Sequence, residues 1–140
     1  MALTEIVVYA THLLFAGLWT GSVLFAAVTL PSVSSDLPSG VRRTVAGRLR
    51  NVSRASALFL LLTGGYMLTL AGYTDGGVLT GTGRGHLVLA MVALWFLLAG
   101  VVEVAGSRLE DGEDATGLLY VGGVLSVLLL LDAGALAGGI

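Results

Sequence analysis

The chain has 140 residues, of which 56% are hydrophobic and 11% charged, and its mean hydropathy of +0.94 is too high for an ordinary soluble domain or a disordered one. The absence of cysteine excludes a disulfide framework and a thiolate metal site. The net charge of −2, with arginine as the only basic residue besides histidine, says less than how the charge is distributed along the chain; no nucleic-acid partner is expected, and the composition describes one small membrane domain.

Four apolar runs, at 3–30, 55–73, 86–107 and 116–139, each approach or exceed the roughly 20 residues needed to cross about 30 Å of hydrocarbon. The expected fold is therefore all-α, a four-helix integral membrane bundle forming a single domain over 1–140. The first run contains "YATHLLFAGLWTGSVLF", with His12 and Trp19 among apolar, small and hydroxyl residues. It does not read as a cleaved signal peptide, because it opens with Glu5 in place of a basic segment and its apolar stretch is too long. Gly17 and Gly21 form a small-xxx-small pair of the kind that lets membrane helices approach closely.

The connection that follows opens with turn-forming residues and carries five of the seven arginines. Within residues 40–54, Val41, Val45, Leu49 and Val52 recur at helical spacing among Arg42, Arg43, Arg48 and Arg50. This predicts an amphipathic helix that lies at the headgroup boundary or extends the second span. Its arginines serve either as a topology anchor or as a sensor of anionic lipid, the anchor being the simpler reading. The second run carries "LLTGGYML" with Met67. The third begins near His86 after a glycine-rich stretch, includes Met91 and ends with Glu103. Glu103 is level with Arg54, so an architectural ion pair is expected there. The fourth run holds Asp132 and a second small-xxx-small pair, Gly134 and Gly138.

By the positive-inside rule the first and third connections face the cytoplasm and both termini lie outside, giving a multi-pass protein of the cell membrane. At 1.5 Å per residue, His12 lies about 10 Å inward from Glu5, Met67 about 9 Å below Tyr73 and Asp132 about 12 Å from the C-terminus. His86 sits at the outer start of its span. These residues are expected to converge on the outer half of the bundle. Ionisable groups at that depth are functional by default, although a histidine can also stay neutral and bond a hydroxyl such as Thr11, Thr63 or Ser126.

"THLLFAGLWTGSVLF" resembles the opening His-x(6)-Trp-x-Gly helix of the copper resistance protein D family. The order of a histidine helix, a basic connection, a Thr-Gly pair at Thr63 and Gly64 and a Gly-x-basic start to the third span is also similar to the small four-helix membrane protoporphyrinogen oxidase. Both relatives usually place lysine at the start of the third helix, where this chain has His86. The resemblance implies a membrane protein that handles copper or binds haem b.

On this reading His12, His86 and Trp19 would contact a cofactor, and His12, His86, Asp132, Met67 and Met91 are the candidate metal ligands. Two imidazoles suit haem b, and imidazole with thioether suits copper. For Trp19, with Phe15, an ordinary core role is the simpler reading and a cofactor wall the alternative. A membrane redox enzyme and an accessory subunit without cofactor are the alternatives. The expected partners are the lipid bilayer, a redox or copper-delivery protein on the outer face and a second copy of the chain. No zinc-protease, phosphate-loop or hydrolase motif is present.

Overall fold

The computed structural model describes residues 2–139. It consists of helices α1 (Leu3–Val33), α2 (Ser39–Leu70), α3 (Val78–Gly81), α4 (Gly83–Glu110) and α5 (Thr116–Gly138). Helices α1, α2, α4 and α5 are each long and apolar enough to cross a membrane. A helix suits that environment because it bonds its own backbone where lipid offers no partner. The four form a ring in which α1 packs on α2 and α5, and α4 packs on the same two. Thus α1 and α4 lie on a diagonal. One end of the bundle carries the two chain termini and the α2–α4 connection; the other carries the arginine-rich connection.

The arginine-bearing segment continues the second span as one helix of 32 residues. Three of its arginines explain why it does not lie flat on a membrane surface. Arg50 Nε and Arg54 Nε reach Glu103 at 3.1 and 2.6 Å, Arg50 Nη1 reaches Glu110 at 2.9 Å, and Arg42 Nε donates to the Leu109 carbonyl at 2.9 Å. The expected Arg54–Glu103 pair is thus present within a larger network that fastens α2 along α4. Arg42 also satisfies a carbonyl at the C-terminal end of α4, where a cation suits the helix dipole.

Helix ends differ from the expected spans in places that local chemistry explains. Pro31 lies inside α1, which ends two residues later with the Ser34 N–H donating to the Leu30 carbonyl. Proline removes one donor and crowds the preceding turn, so its position in the last turn disturbs little. Helix α2 stops at Leu70, short of Tyr73, because Gly72 turns into the left-handed region at φ +78°. Helix α4 starts at Gly83, where the Thr82 hydroxyl accepts from the Gly85 N–H at 2.9 Å. A side chain at Gly85 would collide with the Val78 and Leu79 backbone, so this glycine is what lets α3 lie on α4. In the α4–α5 connection, the Thr116 backbone N–H holds the Asp114 carboxyl below its ordinary range.

Packing is concentrated toward the arginine-bearing end. The buried residues of α1 run from Trp19 to Leu30, those of α2 from Ala46 to Ala57 and those of α5 from Leu119 to Ser126. In α4 they run from Leu98 to Leu109, joined near the helix start by Gly85 and Val88. The close approaches that lipid-embedded helices rely on also fall here. A Cβ at Gly122 would stand 3.1 Å from Val23, and one at Gly123 would stand 3.2 Å from Ala27. The expected small-xxx-small pairs do not serve this purpose. Gly17, Gly21, Gly134 and Gly138 have nothing within 4 Å of where a Cβ would be, because α1 turns the Trp19, Val23, Ala26 and Leu30 face inward instead.

Candidate functional site

In the half of the bundle nearer the termini, α1, α2 and α5 contribute no fully buried residue over 3–18, 58–70 and 127–138. Side chains on their inner faces are half-buried, which leaves the bundle less tightly closed than the close packing at the other end. His12 belongs to this region. It shares the inward stripe of α1 with Ala16, Trp19 and Val23, and its Nδ1 lies 2.8 Å from Thr63 Oγ1 on α2.

The tautomer of His12 follows from the bond that Thr63 makes behind it. Thr63 Oγ1 donates to the Phe59 carbonyl at 2.6 Å. That carbonyl can only accept, and a hydroxyl has one proton. The hydroxyl oxygen must therefore accept from His12, so Nδ1 carries the imidazole proton and Nε2 presents a lone pair. Gly64 makes room for the ring, since a Cβ there would stand 3.3 Å from His12 Cε1. One turn further in, Phe15 and Phe59 stack with centroids 4.5 Å apart and planes 8° from parallel. This imidazole is thus aimed at α2 and away from the third span, which is diagonal to α1.

The other sequence-derived candidates are distributed around the ring. His86 is exposed in the first turn of α4, and its Nε2 donates to the Thr80 carbonyl of α3 at 2.8 Å. Short-range bonding within its own connection explains why it is not gathered with His12. Met67 lies one turn beyond Thr63 on the same face of α2, half-buried. Met91 is half-buried on α4, and Asp132 is half-buried on α5. Asp132 Oδ2 is itself buried and makes no hydrogen bond, an arrangement that leaves a polar atom uncompensated. Among the described residues, no three histidine or carboxylate side chains lie close enough to hold a metal ion together.

Trp19 is a core residue. It is only 1% exposed, and its indole N–H donates to Ser53 Oγ at 2.9 Å, so it anchors α1 to α2 below the histidine and offers no open face to a ligand. Trp95 does the same between α4 and α2, donating to the Ala57 carbonyl at 3.1 Å. Arg84 escapes the sequence argument. It donates to the Tyr73 hydroxyl at 3.2 Å and to the Leu136 carbonyl at 2.5 Å, joining the start of α4 to the turn after α2 and to the end of α5 near the termini. A lone arginine in a glycine-rich stretch gives no sign of its partners in the sequence, because they depend on tertiary packing.

Compared with protein-family models, with curated proteins and with solved structures, the chain has no match.

Proposed function

We propose that this chain is a membrane protein of the copper resistance protein D type, which binds haem b or copper through His12 in the half of the membrane nearer its termini. The observation that carries this reading is the bond from His12 Nδ1–H to Thr63, which leaves Nε2 as a fixed, basic donor. A histidine that binds a metal through one nitrogen almost always donates its other N–H to an oxygen, and Thr63 supplies that oxygen within the protein.

The residues fit the two groups differently. A single imidazole is enough to hold haem iron on one side, and the loosely closed half of the bundle offers apolar surroundings. Copper would need further donors, for which Met67, on the same seam as His12, is the best placed thioether. Bound there, either group would supply one-electron chemistry. The chain's own contribution is to fix the ring through Thr63 and place the Asp132 carboxylate in the same half of the bundle. His86 is left outside this centre by its bond to Thr80.

The test is the absorption spectrum and copper content of the protein purified from cells supplied with iron and copper. A Soret band supports haem, and stoichiometric copper without that band supports a copper site. Absence of both signals would overturn the proposal and leave His12 as a residue that joins α1 to α2 in an accessory subunit.

A further inference from the structure

The arginine-rich half of α2 holds two guanidinium groups that the bundle does not use. Arg42, Arg50 and Arg54 are bonded to α4. Arg43 and Arg48 are exposed and make neither a hydrogen bond nor an ion pair with any described residue. They lie five residues apart, about 140° around the helix, and Arg48 borders a concave surface. That surface is a groove of about 230 Å³ between α1 and α2. Phe25 and Leu30 wall it on one side, Val45 and Val52 on the other, and Arg48 and Thr29 are among its polar side chains.

We propose that this groove binds one anionic glycerophospholipid, with an acyl chain between α1 and α2 and the phosphate on Arg48. Apolar surface on this part of α1 faces outward, Phe25 being 69% and Val28 73% exposed. An acyl chain is therefore the natural neighbour of the groove. A guanidinium at the mouth of such a groove is matched by a phosphate, which accepts two of its N–H bonds in parallel. Basic pockets between membrane helices recognise anionic headgroups on the same grounds. Thr29 adds a hydroxyl donor beside the charge. The proposal is independent of His12 and of what it binds.

Protein in a neutral detergent is titrated with phosphatidylglycerol or phosphatidylcholine, and retained lipids are counted by native mass spectrometry, with helix content checked by circular dichroism. One phosphatidylglycerol should be held in preference to phosphatidylcholine. Arg48→Gln should weaken its retention about tenfold, the effect of losing a charge-assisted bond, whereas Arg43→Gln, the same change of charge on another face, should leave it unaltered. Val45→Trp, which crowds the groove and keeps Arg48, should also weaken retention. Equal binding of the two lipids, equal losses in the two arginine variants, or full retention in folded Val45→Trp would overturn the proposal. So would displacement of the lipid by glycerol phosphate at the same concentration, since the groove would then contribute nothing.

Discussion

Thr63 is bonded on both sides, accepting from His12 and donating to the Phe59 carbonyl, and this fixes which nitrogen of His12 is open. Replacing it with valine keeps the shape but removes the acceptor, so the ring loses its orientation and its preferred tautomer. Thr63→Val is expected to weaken haem or copper binding about 10- to 100-fold, the usual effect of losing a group behind a ligand, with helix content unchanged. Thr63→Ser should restore most of the affinity. Titration of the purified variants with each group checks this, and wild-type affinity in Thr63→Val would show that the threonine has no part in binding. His12 was legible in the sequence, because an imidazole in a long apolar run is conspicuous. Its direction was not, because the bond spans 51 residues of chain and depends on how two helices are rotated against each other. Trp19 illustrates the same limit, as its sequence spacing allows a cofactor wall or a core anchor and Ser53 decides for the anchor.

At the scale of the helices, glycine acts through what faces it. Gly123 lies against Ala27 at the α1–α5 contact, whereas Gly17 faces open space. Gly123→Leu is therefore expected to destabilise the bundle by about 1–3 kcal/mol, as overpacking of a close contact does. Gly17→Ala should be neutral or stabilise by up to about 1 kcal/mol, because alanine is the better helix former. Chemical unfolding in detergent, followed by circular dichroism, measures both, and a larger loss at position 17 than at 123 would contradict this packing. The four long helices were legible from apolar run length, whereas the short α3 was not. The pairing glycines were not, since small-xxx-small spacing recurs by chance in a glycine-rich chain and does not say which face meets a neighbour. The helical form of the basic half of α2 was written in its valine and leucine spacing, but that spacing left open whether the segment runs on into the second span, as it does. Its upright course depended on the partners Arg42, Arg50 and Arg54 find on α4.

For the whole molecule, the bundle has a firmly packed end braced by Arg50, Arg54, Glu103 and Glu110 and a looser end that holds His12 and Asp132. The positive-inside rule would place the braced end in the cytoplasm. Single cysteines introduced at Ser34 and at Gly76 test this in sealed cells. The residue at 76 should react with an impermeant reagent and the residue at 34 should not, and the reverse pattern would invert the orientation. The division of the ionisable residues between the ends was partly legible, since His12, His86 and Asp132 could be assigned to one half and Glu103 to the other by counting rise. Their grouping was not, because the ring order sets α1 and α4 on a diagonal and His86 bonds within its own connection. The central claim, that His12 is a ligand, is tested most directly by comparing the haem or copper retained by His12→Ala and His86→Ala with that of the wild-type protein. His12→Ala is expected to lose the bound group while keeping its helix content, and His86→Ala to retain it; full retention in His12→Ala would contradict the claim.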